Sequence, residues 1–225
     1  MLNGLLKDRR DAGRRLARQL EKYKGAPDCL VIALPRGGVE VGVEVARGLG
    51  LPLDVCVVRK LGVPFQPELA MGAVSMGGVE VIHEDVIHDL GITEEELRRE
   101  MEIETEELNR RERAYRGERP YPPLRGKTVI VVDDGVATGA TMKAAIQVMR
   151  KCGAARIVAA AGVAAPGAHY WMERLADEFH AVVEPDRLSS IGEWYGEFRQ
   201  LRDEEVKALL KEAGGDGAAA HAGAA

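Results

Sequence analysis

The chain has 225 residues, 46% of them hydrophobic and 30% charged, with a formal net charge of −5. That is the composition of a globular protein long enough to bury a full core as one domain. The acidic balance gives no electrostatic reason to expect nucleic acid or a membrane surface as a partner, and no stretch reaches the roughly eighteen uninterrupted apolar residues of a membrane span. Cys29, Cys56 and Cys152 lie far apart without a paired metal spacing. Cys29 and Cys56 fall in apolar runs and are read as small core residues of a reduced, cytoplasmic protein.

In chain order, Leu5, Leu6, Ala12, Leu16, Leu20 and Tyr23 recur at near-helical spacing and predict an amphipathic helix packed on the domain. Its basic residues, Arg9 among them, are interrupted by Asp8, Asp11 and Glu21, and without an apolar centre the segment is not read as a targeting peptide. Cys29 to Leu34 predicts the first buried strand, running into Pro35-Arg36-Gly37-Gly38, and Val39 to Leu49 has the apolar spacing of a helix closed by Gly50. A strand, a glycine turn and a helix make an anion-sized site at the carboxyl edge of a parallel sheet, with an ordinary βα turn as the plain alternative. Leu53 to Val58 predicts a second strand that delivers Arg59 and Lys60 to its carboxyl end. Neighbours on a strand face opposite ways, so one of the two reaches a ligand unless the strand has already ended. Solvated surface cations are the alternative.

Leu61 to Gly78 is punctuated by proline and glycine and predicts an irregular lid or a hairpin, with Glu80 to Glu84 as a return strand. Glu68 within it caps a turn, faces solvent or meets a ligand. Thr93 to Glu118 is highly charged; Thr93 and Glu96 match a capping box, and Leu97, Met101, Leu108 and Tyr115 form a thin apolar stripe. This predicts a helical insertion, about 93–118, on the surface or against a partner subunit. Pro120, Pro122 and Pro123 end it.

Thr128 to Thr141 reads TVIVVDDGVATGAT. Val129 to Val132 are β-branched throughout, as in a strand buried on both faces, which places Asp133 and Asp134 at its carboxyl end. Gly135, Val136, Ala137, Thr138, Gly139, Ala140 and Thr141 are mostly small and lead into the helical run Met142 to Met149. Unpaired N–H groups at a helix start, with the positive end of its dipole, cradle phosphate, and glycine lets the backbone come close. Two acids that can accept hydrogen bonds from vicinal hydroxyls, beside such a cradle, point to a sugar phosphate. A Walker loop needs a lysine after its second glycine and a Rossmann turn needs GxGxxG, so neither fits.

Four hydrophobics, two acids, two small or aliphatic residues and Ala-Thr-Gly-x-Thr resemble the phosphoribosyl-diphosphate motif of type I phosphoribosyltransferases. The resemblance implies that Asp133 and Asp134 hold the ribose 2′ and 3′ hydroxyls and touch Mg²⁺ indirectly, while Ala137 to Thr141 wrap the 5′-phosphate. It further implies that Arg36, Gly37 and Gly38 form the pyrophosphate loop, often with a strained or cis peptide, that Arg59 and Lys60 also contact pyrophosphate, and that a mobile loop closes over the centre. Gly135 departs from the family's aliphatic norm. Ala137 stands where hypoxanthine-type members carry an Asp proposed as general base, so the string looks more like the adenine-type version.

Arg156 to Ala161 predicts another strand, Ala165-Pro166-Gly167 a turn into a helix from His169 to about Phe179, and His180 to Val183 a last strand. Trp194, Tyr195 and Phe198 cluster in a chain poor in aromatics. They either anchor the C-terminal segment to the core or offer a flat base a stacking platform. The order strand–helix–strand, insertion, strand–helix–strand–helix–strand predicts an α/β fold, a mostly parallel twisted sheet flanked by helices with right-handed crossovers. The expected organisation is a single domain over 1–213, with a small hood about 184–213 and a low-complexity tail over 214–225. The resemblance implies a Mg²⁺-dependent transferase that moves phosphoribosyl from phosphoribosyl diphosphate to a nitrogen base, as a possible homo-oligomer. A non-catalytic regulator binding the same ligand, or hydrolysis of the donor or a nucleotide, are the alternatives.

Overall fold

The computed structural model describes residues 5–217. Helix α1 (Arg9–Gln19) starts at Asp8, whose carboxylate accepts from the Asp11 N–H. Its buried stripe of Ala12, Leu16 and Ala17 faces inward, as the apolar spacing predicts. Strand β1 (Cys29–Ala33) leads to α2 (Gly37–Leu49), closed by Gly50 in the left-handed conformation. A short β2 (Leu53–Val55) follows, then β3 (Val58–Val63), β4 (Gln66–Ser75), β5 (Val79–Ile82), α3 (Glu84–Leu90) and the insertion helix α4 (Glu94–Arg116). The second half comprises β6 (Thr128–Val136), α5 (Ala140–Lys151), β7 (Arg156–Ala164), α6 (Ala168–Met172), β8 (Glu178–Val183) and α7 (Asp203–Gly217).

Five parallel strands form the main sheet in the order β2-β1-β6-β7-β8, so the β-branched strand β6 lies at its centre. Its side chains alternate between two cores, as the strand period requires. Val129 and Val131 pack with Leu30, Ile32 and helix α5, whereas Ile130 and Val132 pack with Val31, α1 and α2. Pairing with β1 ends at Ala33–Val132, but β6 runs on beside β7 through Asp133–Ala161, Gly135–Val163 and Val136–Ala164. The strand therefore extends four residues past the end expected for it, and both acids belong to it.

The segment between β2 and α3 is more regular than expected. Strands β3, β4 and β5 form a separate antiparallel sheet, with register shifts around Gly62, so the hairpin reading holds and the irregular lid does not; the return strand runs Val79–Ile82 and stops short of Glu84, which opens α3. Arg59 and Lys60 accordingly sit inside β3, paired with Val74 and Ala73, and not at the end of a core strand. The core strand stops at Val55 because the chain leaves to build this second sheet. Thr93 and Glu96 complete the capping box of α4 as read from sequence. At its other end the buried Arg116 makes two bonds to Asp54, at 2.9 and 2.6 Å, and its guanidinium stacks 3.6 Å from the Tyr121 ring. This bidentate pair fastens the insertion to β2.

The helix expected from His169 to Phe179 is shorter. It ends at Met172, and Phe179 pairs with Ala159 as part of β8. The Asp177 carboxylate accepts from the Ile157 N–H at 2.6 Å, so the chain is recruited to the sheet edge before the helix can continue. Helix α7 reaches Gly217; the rest of the expected tail lies outside the described residues.

Candidate functional site

Continuing the alternation of β6 carries the two acids to different faces. Asp133 lies on the α5 side and lines a concavity of about 180 Å³ with the run from Gly135 to Met142. Asp134 lies on the α1–α2 side, where Arg9 Nε donates to its Oδ2 at 2.7 Å. Burial, then the neighbouring Asp134 charge, hold Asp133 well above the usual carboxylate range, as expected where two carboxylates adjoin. The Asp134 N–H donates to Asp133 Oδ1 at 2.8 Å and fixes its orientation.

The concavity is bounded by the start of α5. Gly139 caps that helix at φ 74°, a left-handed conformation that favours glycine, and Thr138 Oγ1 accepts from the Ala140 N–H at 3.4 Å. Ala137, Thr138, Ala140 and Thr141 are exposed, so the first turn of α5 opens to solvent, and a helix start of this kind suits an anion. Trp171 of α6 packs on Gly139, and the Lys143 ammonium rests 4.2 Å from the centroid of that indole. Gly135 departs from the aliphatic norm for a visible reason. A Cβ there would lie 2.3 Å from Ile191 Cγ2, so the C-terminal segment fills the space.

The first glycine turn meets the acids from the other side. The Pro35–Arg36 peptide is cis, and α2 begins at Gly37. A Cβ on Gly37 would fall 1.8 Å from Asp134 Oδ2, and one on Gly38 would fall 2.8 Å from the Val132 carbonyl and 3.1 Å from Asp133 Oδ1. Glycine at both positions is what lets the N-terminus of α2 press onto the carboxylates. Arg36 is partly exposed; its Nη1 donates to the Leu201 carbonyl at 2.8 Å and its Nε lies 3.8 Å from Asp203.

Gly37, Gly38, Asp133, Asp134 and the Gly135 to Thr141 run thus share one edge of the sheet. Arg59 is instead paired with Glu104 of α4, and Lys60 lies beside it on β3. Among the described residues no group of three or more His, Cys, Asp or Glu is placed to hold a metal ion. With Asp134 already engaged by Arg9, the donor set fits a Mg²⁺ that keeps waters and ligand oxygens and takes one or two carboxylates from the protein, and does not fit an all-protein cage.

Sequence reasoning missed Arg9, Ile191 and Trp171. Arg9 is one of seven basic residues between Leu5 and Tyr23, and nothing in the spacing singles it out. Tyr195 and Phe198 stand out in sequence by their clustering. Tyr195 is buried and donates its hydroxyl to the Asp134 carbonyl at 2.6 Å. Residues 194–197 also pair with the N-terminal segment through Leu6 and Lys7. Tyr195 and the partly buried Trp194 anchor this strap to the core, whereas Phe198 is exposed and stacks on Tyr195.

Residues 5–186 match the phosphoribosyl transferase domain family. The chain is 43% identical over 218 residues to "Putative phosphoribosyl transferase Rv0571c" of Mycobacterium tuberculosis (strain ATCC 25618 / H37Rv), covering 97% of this chain and 49% of that protein. It matches "Putative phosphoribosyl transferase MT0597" from strain CDC 1551 / Oshkosh equally well, so it spans about half the length of these curated relatives. The crystal structure of TT1426 from Thermus thermophilus has the same fold, with a TM-score of 0.83 at 41% identity over 92% of this chain and 98% of that one. The chain belongs to the phosphoribosyl transferase domain family. Among the described residues no helix is long and apolar enough to cross a membrane.

Proposed function

We propose that the chain transfers the 5-phosphoribosyl group from phosphoribosyl diphosphate to a nitrogen base and releases pyrophosphate. The observation that carries this reading is the meeting of two glycine turns on one acidic pair, with the N-terminus of α2 against Asp133 and Asp134 and the N-terminus of α5 opening a concavity lined by Asp133. The α5 turn takes the 5′-phosphate, the acids accept the ribose hydroxyls, and the Arg36 to Gly38 turn takes the pyrophosphate. Mg²⁺ would supply charge neutralisation on the leaving pyrophosphate, and Asp133 and Asp134 are the residues that would approach it. The bond from C1′ to the pyrophosphate oxygen breaks and its electron pair leaves with pyrophosphate. The base nitrogen's lone pair forms the new bond to C1′, and its proton passes to solvent.

The protein's part is to fix the phosphate and ribose while opposing charge develops, which is positioning and electrostatic stabilisation. Ala137 is exposed and offers no general base at its position, and this favours a second reading, a regulator that binds the diphosphate without turnover. Pyrophosphate release measured with phosphoribosyl diphosphate, Mg²⁺ and a panel of free bases separates the two. Release that depends on one base supports transfer and names the acceptor. Tight donor binding without release supports the regulator, release without any base supports hydrolysis, and no binding sinks all three.

A further inference from the structure

Arg9 is buried, 6% exposed, although it opens a surface helix rich in arginine. Its guanidinium is held on three sides. Nε donates to Asp134 Oδ2 at 2.7 Å, Nη1 donates to the Arg199 carbonyl at 2.8 Å, and the Phe198 ring stands with its centroid 4.0 Å from Cζ. Phe198 in turn stacks on Tyr195 at 5.0 Å, and Tyr195 donates to the Asp134 carbonyl. Both the carboxylate and the carbonyl of Asp134 are therefore gripped by one unit, made of the start of α1 and the strap from Tyr195 to Arg199.

A carboxylate at the surface rotates and must be ordered when a ligand hydroxyl binds, which weakens binding. Asp134 is ordered in advance. A guanidinium is a planar fork that fixes the direction of its partner, which a lysine's point charge does not. With Oδ2 occupied, Oδ1 is the oxygen left with its lone pairs free of Arg9. We infer that Arg9 is a positioning residue for sugar recognition: it locks the Asp134 carboxylate with one oxygen presented to a ribose hydroxyl, and so couples the ribose site to the 195–199 strap. This rests on the ribose-phosphate reading above.

The test compares ribose 5-phosphate with 2,3-dideoxyribose 5-phosphate by titration calorimetry on the full chain and its variants. A hydroxyl bonded to a fixed carboxylate favours the diol by about tenfold or more in the unaltered protein. In Arg9→Met that ratio falls to within about threefold of unity, while the dideoxy compound keeps its affinity, because the α5 turn that would hold its phosphate does not touch Arg9. Arg9→Lys lies between the two. A residue with a merely structural role lowers both affinities together and leaves the ratio unchanged, which overturns the inference. If Arg9→Met does not fold, Arg9→Lys decides, and an unaltered ratio there also overturns it. An unaltered protein that binds neither compound, or does not distinguish them, instead overturns the ribose-phosphate reading.

Discussion

Gly135 and Ile191 share one space, and they show how a departure in the motif can be compensated from elsewhere in the chain. A side chain at 135 would meet Ile191 at well under contact distance, so Gly135→Val is expected to destabilise the protein by about 1–3 kcal/mol through overpacking. Ile191→Ala removes a partly buried side chain and is destabilising by itself. Combined, the two changes should cost less than their sum, with a coupling of about 0.5–3 kcal/mol in a double-mutant cycle followed by urea unfolding. Additive costs would show that the two positions do not compete. The acids are the converse case, where neighbours in sequence are separated by the pleat. Asp133 and Asp134 are adjacent, yet one lines the α5 concavity and the other meets α1, so substituting either one tests a different environment.

At the scale of elements, the end of the N-terminal helical segment is tied to the sheet edge through one carboxylate. Glu178 on β8 accepts from the Tyr23 hydroxyl at 2.6 Å, Arg156 Nη2 at 2.5 Å and Lys22 Nζ at 2.7 Å, and lies 3.1 Å from His180 Nε2. Burial alone pushes this carboxyl up, but the donors outweigh it and hold it well below the usual carboxylate range. A depressed folded pKa means that the stabilisation is fully present above the unfolded value, about 4.3, and is lost as pH falls below it toward the folded value. Glu178→Gln is therefore expected to be less stable than the parent at pH 7 and to lose less stability between about pH 5 and pH 3. Urea midpoints across that range give the answer, and parallel acid limbs would remove Glu178 from the account. The capping box of α4 shows what local sequence can fix, because Thr93 and Glu96 act within one turn. The early end of α6 shows what it cannot. The run to Phe179 carries helical spacing, but strand pairing with β7 and the Asp177 contact to Ile157 draw it into the sheet.

For the molecule as a whole, the insertion behaves as part of the core because of a buried ion pair. Arg116 and Asp54 have side chains 4% and 13% exposed, and they join the end of α4 to the edge strand of the main sheet. Removing Arg116 leaves Asp54 buried without its partner, so Arg116→Met is expected to destabilise the fold by about 3–5 kcal/mol, whereas Arg116→Met with Asp54→Leu recovers most of the loss. Chemical denaturation of the three variants measures this. A small cost for Arg116→Met alone would mean that the insertion is held by its apolar contacts with β3, β4 and α7. Those contacts include Leu108, Tyr115, Leu61, Met71 and Val206, all buried in a third core beside the two that flank the main sheet. The C-terminal half of the insertion thus joins the hydrophobic interior, while its first half lies on the surface as its thin apolar stripe predicts.

Elements whose causes are local can be read from the residue order alone. The β-branched run of β6, the two glycine turns, the capping box and the apolar spacing of α1 and α2 each reflect forces that act within a few residues, and they were enough to place the parallel sheet and the acidic pair. What depends on residues far apart emerges only once the chain is packed. Arg9 reaches Asp134 across 125 positions, Ile191 fills the space left by Gly135, and Arg59 lies in a second sheet bound to α4. No period or spacing encodes such pairings. They arise because burial leaves each charge, gap and strand edge to find a partner wherever the packed chain supplies one.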